Sequence, residues 1–207
     1  MTFVLGLTGS IGMGKSATAA IFRRLGAPVH DADACVHALY DGGDAVPPIA
    51  AAFPGTVTDG VVDRAALGRI VLDDPARMAE LEAIVHPLVR AAEARFLKEA
   101  ASARAPVAVL DIPLLFETGG ERRCDAVLVV TATAAVQRAR VLARPAMTED
   151  KFDTILAKQM PDAEKRGQAH FLVDTGRGFN AAETQVRGIL RALAGRPGRT
   201  LTGARAP

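Results

Sequence analysis

A chain of 207 residues, 49% hydrophobic and 23% charged, has room for one substantial core with small appended subdomains, in the composition range of a soluble globular enzyme. No apolar run approaches the roughly 20 residues that a membrane helix needs, and Cys35 and Cys124 are too few for a disulfide framework and lack metal-ligand spacing, so they read as free thiols of a reducing cytoplasm. The net charge of +2 divides unevenly: residues 1–137 hold 12 Lys/Arg against 16 Asp/Glu, a net of −4, and residues 138–207 hold 13 against 7, a net of +6.

Without aromatic residues interleaved among those late cations, they read as arginines gathered around an anionic small molecule rather than as a nucleic-acid surface. No nucleic-acid or membrane partner is expected, and the chain is expected to be a monomer.

In chain order, Phe3-Val4-Leu5-Gly6-Leu7 is a short apolar run, expected as a buried strand. It leads directly into Gly9-Ser10-Ile11-Gly12-Met13-Gly14-Lys15-Ser16, which leaves no place for a secretory signal. That octet fits G-x-x-x-x-G-K-[ST], a phosphate-binding loop. Gly9, Gly12 and Gly14 permit backbone conformations that a Cβ forbids, so successive N–H groups can face an anion. Lys15 supplies a mobile charge for β/γ-phosphates, and Ser16 can offer its hydroxyl to Mg²⁺. Ala17 opens the following helix, whose positive end lies under the same phosphates, and Gly26 is placed to stop it near Leu25. Gly9 to Ala17 are therefore the expected ATP-binding segment.

Ala27 to His30 reads as a second strand, and Asp31 or Asp33 as the N-cap of a helix over the apolar run that follows. Residues 45–53 and 64–72 are expected as short helices around the turn-rich Pro54-Gly55 and Asp59-Gly60. A longer helix begins at Asp73-Asp74-Pro75 and should kink after His86, because Pro87 lacks an N–H. Val107 to Asp111 and Ala126 to Val130 are continuous apolar strands, the pattern of a parallel sheet covered on both faces. Helices are expected over 134–142, 149–158 and 162–169, a fifth strand over 171–174, and a closing amphipathic helix over 181–193.

The expected fold is thus α/β, a P-loop fold with a five-stranded parallel sheet flanked by helices. Its nucleotide-binding core takes residues 1–31, 105–137 and 170–194. A strandless helical insert over 32–104 serves the acceptor, 138–169 forms a lid, and 195–207 is a disordered tail.

Phosphoryl transfer needs a metal held near Ser16 and a carboxylate for the acceptor hydroxyl. Asp111, ending an apolar strand, has the pattern of a metal-side acid. Asp33 is the candidate on the acceptor side, one of Asp31 and Asp33 being expected as no more than the helix cap, and His37, one helical turn on, is a helix partner for Asp33. Among the late cations, Arg140 and Arg144 are placed by chain position to serve a lid that closes on triphosphate.

Beyond the loop, ordered blocks carry a resemblance. They are Asp31-Ala32-Asp33, Asp63-Arg64-Ala65-Ala66-Leu67-Gly68, Leu81 to Pro87 and Asp111-Ile112-Pro113-Leu114-Leu115-Phe116-Glu117. Gln137 with Arg140 and Arg144, and Gln159 to Lys165, complete the set. The chain resembles the dephospho-coenzyme A kinase family. The resemblance implies ATP and Mg²⁺, phosphorylation of the ribose 3′-hydroxyl of dephospho-CoA, and Asp33 as the general base. It also implies an acceptor pocket from Arg64, His86 and the segment Leu114 to Glu117, with Asp111 beside it, and Arg140 and Arg144 facing ATP. The sequence departs from the family at Gln168-Ala169-His170 and at Thr175, the latter near the expected adenine pocket, and carries Ala17 where Thr is common. The competing readings are a P-loop kinase of another small acceptor, a GTPase, which would want an Asn/Thr-Lys-x-Asp segment that is lacking, and a nucleic-acid-dependent ATPase.

Overall fold

In a computed structural model, residues 1–199 are described. They fall into two compact units, one comprising Met1–His30 and the chain from Glu99 onward, the other Asp31–Lys98. In chain order the strands are β1 (Phe3–Thr8), β2 (Val29–Asp31), β3 (Val57–Thr58), β4 (Val61–Val62), β5 (Val107–Asp111), β6 (Ala126–Thr131) and β7 (Phe171–Asp174). The helices are α1 (Lys15–Arg24), α2 (Ala32–Tyr40), α3 (Val46–Ala52), α4 (Arg64–Val71), α5 (Pro75–Ser102), α6 (Ala134–Leu142), α7 (Glu149–Ala157), α8 (Asp162–Gly167) and α9 (Phe179–Leu193).

The five strands expected from apolar runs form one sheet in the order β2–β5–β1–β6–β7. The pairs β1–β5, β1–β6 and β6–β7 are parallel. All of β1 and β5 is buried, as continuous apolarity requires of strands covered on both faces. Leu5, Leu7, Val109 and Leu128 pack with Ile21 and Phe22 of α1 and with Val186, Ile189 and Leu193 of α9. Removing side chains of this size from water contributes roughly 1.5–3 kcal/mol each. The first helix ends as its sequence implies: Gly26 takes φ 85°, Gly26 N–H donates to Arg23 O, and Ala27 N–H donates to Phe22 O. This is a Schellman closure, which needs a residue tolerant of the left-handed conformation at that point.

The register places the functional ends. Leu7 lies opposite Asp111 and Thr8 opposite Val129, so the glycine loop leaves β1 at the same sheet edge where β5 and β6 finish. Ligands bind at that edge in open parallel sheets.

The unit Asp31–Lys98 has its own core, in which Ile49, Phe53, Val62, Leu67, Val71, Leu81 and Val85 are buried together. The expectation that it holds no strand is corrected. Val57–Thr58 and Val61–Val62 pair antiparallel, across a turn in which Asp59 has φ 51° and Gly60 φ 78°. Asp-Gly is the preferred dipeptide of such a two-residue hairpin, but two-residue strands are too short for an alternation to register. Helix α5 runs from Pro75 to Ser102 with Pro87 inside it.

Of the expected disordered tail, residues 200–207 lie outside the described residues. Residues 195–199 are tied down: Arg199 N–H donates to Asp125 Oδ1 at 2.7 Å, and Gly198 is buried.

Candidate active site

The loop between β1 and α1 is shaped by backbone geometry and by side chains that reach it from far along the chain. Gly12 and Gly14 sit at φ 78° and 94°, where a side chain would be strained. Gly9 has a different reason to be glycine. Its φ is not in the left-handed region, but a Cβ there would stand 2.7 Å from Val130 O.

Three successive loop carbonyls are taken by side-chain donors. Gln137 Nε2 donates to Ile11 O at 2.8 Å, Arg140 reaches Gly12 O at 3.5 Å, and Thr175 Oγ1 donates to Met13 O at 2.7 Å. The Ile11 N–H donates to Gln159 Oε1 at 3.0 Å. The Met13 sulfur accepts the Ala132 N–H at 3.1 Å, which ties that buried side chain to the end of β6. Carbonyls held from outside leave the loop's interior to its N–H groups, which is how a backbone binds an anion.

Lys15 Nζ lies 2.7 Å from Asp111 Oδ1, and Asp111 is 2% exposed. The strand-end acid and the loop cation expected from sequence are therefore brought together. Thr8 Oγ1 donates to Pro113 O at 2.9 Å, linking the loop's entry to the segment after β5. Ser16 and Ala17 are exposed at the start of α1. Ser10 is buried, its hydroxyl without a hydrogen-bond partner among the described residues.

The late cations divide by partner. Arg140 is bound to Thr175, NH1 donating to Oγ1 at 2.8 Å and NH2 to the carbonyl at 2.9 Å. Its guanidinium thus braces the loop rather than standing free on a lid. Thr175, expected beside an adenine pocket, is buried against Gly14 and receives this brace. Arg138 pairs with Glu149, Arg166 with Asp162, and Lys151 donates to Ala146 O. Arg144 and Lys158 are exposed, with no side-chain partner among the described residues.

Glu117, expected in an acceptor pocket, uses Oε1 twice: it accepts the Met160 N–H at 2.8 Å and lies 2.8 Å from the fully buried Lys165 Nζ. Burial pushes the Glu117 carboxyl up, but Lys165 and the N–H groups outweigh it and hold the carboxyl below its ordinary 4.5. Leu114, three residues past the end of β5, is exposed. His170, the other departure from the family pattern, accepts the Val127 N–H through Nδ1 at 3.2 Å, a bond between β6 and the start of β7.

In the unit Asp31–Lys98 the candidate residues are arranged by their helix ends. Asp31 is the cap of α2, accepting the Ala34 N–H at 3.0 Å. That leaves the exposed Asp33 carboxylate in the first turn, with no side-chain partner among the described residues. His37 does not serve Asp33: its Nδ1 lies 3.0 Å from Arg64 NH2, and Arg64 also stacks 5.5 Å above the Tyr40 ring. His86 is exposed on α5. Burial pushes the Cys35 thiol up, with Arg95 only partly opposing it, as suits an unreactive thiol.

With this geometry in place, the relatives are informative. The family model described as dephospho-CoA kinase matches residues 3–180. The chain belongs to the dephospho-CoA kinase family. It is 60% identical over 196 residues to a dephospho-CoA kinase of Rhodopseudomonas palustris, covering 95% of this chain and 98% of that one. It is also 60% identical over 195 residues to one of Mesorhizobium japonicum, covering 94% and 98%. A crystal structure from Thermus thermophilus superposes with a TM-score of 0.78 at 37% identity, covering 94% of this chain and 99% of that one. The dephospho-CoA kinase of Campylobacter jejuni shares the fold, with a TM-score of 0.65 at 20% identity over 93% and 98%.

Sequence reasoning found the loop, Asp111 and Arg140 within the first unit. It assigned no role to Gln137 and Gln159, and noted Thr175 only as a departure near the expected adenine pocket, without its bonds to Arg140 and Met13 O. The available signal was a glutamine on the inward face of an apolar helix: Gln137 is buried one turn before Val141. Buried polar side chains are hydrogen-bonded, and what they bond to depends on the tertiary structure.

Proposed function

We propose that the protein transfers the γ-phosphoryl group of ATP to the ribose 3′-hydroxyl of dephospho-CoA, giving coenzyme A and ADP. The observation that carries this reading is a preformed anion cradle with Lys15 on Asp111, in a chain whose family match runs nearly end to end. Asp33, left unpartnered because Asp31 does the capping, takes the proton of the acceptor hydroxyl as its oxygen forms a bond to the γ-phosphorus. The bond from that phosphorus to the β,γ-bridging oxygen breaks, and ADP leaves. Lys15 and the loop N–H groups meet the charge on the β- and γ-phosphates, with Arg140 bracing the loop and exposed Arg144 free to face ATP. Arg64, His86 and the segment at Leu114 serve acceptor binding.

The donors present suit Mg²⁺. Among the described residues no three His, Cys, Asp or Glu cluster as an all-protein cage would require, and Mg²⁺ in such sites is held by one or two protein oxygens with phosphates and water. Ser16 and Asp111 would hold it, and it would supply positive charge to the phosphates of ATP. The proposed enzyme is a monomer acting in the cytoplasm on small molecules; no helix among the described residues is long and apolar enough to cross a membrane.

The test is turnover of dephospho-CoA against adenosine, AMP and shikimate as acceptors. Dephospho-CoA should be preferred by orders of magnitude; no activity on it would overturn the assignment. Lys15→Ala should cut turnover about 10²-fold or more, because it removes charge from the transferring group.

A further inference from the structure

Ile11 is gripped at both of its backbone polar groups by glutamine amides, its carbonyl by Gln137 and its N–H by Gln159. Gln137 needs no further support, since it is buried on α6. Gln159 lies in the link between α7 and α8, its own N–H still donating to Leu156 O at 3.0 Å. Beyond it that bonding stops, and the next peptide is held from outside: the Met160 N–H donates to Glu117 Oε1, and the same oxygen lies 2.8 Å from Lys165 Nζ on α8. Glu117 therefore fixes the chain on both sides of Pro161 to the segment that follows β5.

A fully buried lysine is costly to desolvate, and for stability alone an apolar pair of equal volume often does as well. An apolar pair could not orient the Met160 N–H, and that orientation sets where the Gln159 amide points. Ile11 is the third residue of the loop, immediately before the left-handed Gly12, so its backbone orientation sets the direction of the N–H groups after it.

We infer that Gln159 is a positioning residue for nucleotide binding, and that Glu117 and Lys165 act on the donor side through it rather than touching the acceptor. This rests on the reading of residues 9–16 as the ATP site. The loop is shaped before nucleotide arrives, by an amide delivered from the α7–α8 link and clamped by the ion pair of Glu117 with the buried Lys165.

The test uses the full-length protein with Gln159→Met, which keeps the shape and removes the acceptor, Lys165→Met, Glu117→Gln, and the double variant Gln159→Met/Lys165→Met. ADP affinity by calorimetry and the KM values for ATP and dephospho-CoA are read for each. Gln159→Met should weaken ADP and raise the ATP KM about 3- to 10-fold, the worth of one positioning hydrogen bond, leaving the dephospho-CoA KM within about twofold. Lys165→Met should move the same quantities, and the double variant should be no worse than the poorer single variant, because groups acting through one contact are not additive. Should Lys165→Met fail to fold, Glu117→Gln carries the comparison, since it retains an oxygen for the Met160 N–H while removing the charge.

An unchanged ATP KM in Gln159→Met would overturn the inference. So would additive losses in the double variant, or a lowered melting temperature in Lys165→Met and Glu117→Gln with nucleotide affinity intact. A rise in the dephospho-CoA KM alone for Glu117→Gln would return Glu117 to the acceptor pocket. If Lys15→Ala also left ADP affinity unchanged, the nucleotide reading itself would fall, and this inference with it.

Discussion

Around residues 9–16 almost every polar side chain that approaches the loop is tied to another group: Lys15 to Asp111, Arg140 to Thr175, and Gln137 and Gln159 to Ile11. In the unit Asp31–Lys98, Asp33 and His86 stand exposed without side-chain partners among the described residues, whereas Arg64 is engaged with His37 and Tyr40. The two regions face different problems. A backbone cradle must aim several N–H groups together, so its carbonyls need donors before the anion comes, and rigid placement is where much of its catalytic benefit lies. A carboxylate that is to take a proton from a hydroxyl must keep its lone pairs available, and on an exposed helix turn that costs little.

Four changes would break or sharpen this contrast. The largest effect is expected from Asp33→Asn, which should lower kcat by about 10²–10⁴ with ADP affinity kept, the usual worth of a general base; near-normal turnover would reduce Asp33 to a helix-start residue. Phe53→Ala should destabilise the Asp31–Lys98 core by about 3–5 kcal/mol while ADP affinity changes little, since Phe53 packs within a cluster separate from the sheet's. Calorimetric melting with and without ADP would reveal the opposite result, a common loss of both.

Thr175→Val, of similar size, removes the hydroxyl that bridges Arg140 and Met13 O. It should cost about 1–3 kcal/mol of ATP binding through the unsatisfied partners, read as a raised ATP KM with the dephospho-CoA KM unchanged. The smallest effect concerns acid. Because the Glu117 carboxyl is held below its ordinary 4.5, its contribution to stability is complete above that value and is lost as pH falls through the folded-state value. Wild-type melting temperature should therefore fall more steeply below pH 4.5 than that of Glu117→Gln. Parallel curves would mean that the Lys165 pairing does not stabilise the fold.

Much of the first unit was legible because its signals are local. Apolar runs marked the five sheet strands, and Gly26 marked the end of α1; in the second unit the Asp31-Ala32-Asp33 segment marked the start of α2. The β3–β4 hairpin escaped because two-residue strands carry no periodicity, although Asp59-Gly60 was its proper turn. His37 was read by helical spacing as a partner for Asp33, but the guanidinium of Arg64 outcompeted that neighbour. Glu117 was placed in an acceptor pocket by the family resemblance alone; its pairing with Lys165 was not legible, because a carboxylate after a strand end can serve either a substrate or a buried cation and spacing does not distinguish them.

The sequence by itself determined that phosphate is bound, that a parallel sheet carries the loop, and which family the chain resembles. Each of these rests on contiguous residues, whose spacing dictates backbone geometry and helix or strand period. Only the tertiary structure decided which polar groups meet. Glu117 reaches Lys165, and Gln137, Gln159 and Thr175 reach the loop, because the strand order β2–β5–β1–β6–β7 brings distant chain segments to one sheet edge. No local pattern encodes that order, since it follows from how the helices and strands bury their apolar faces together.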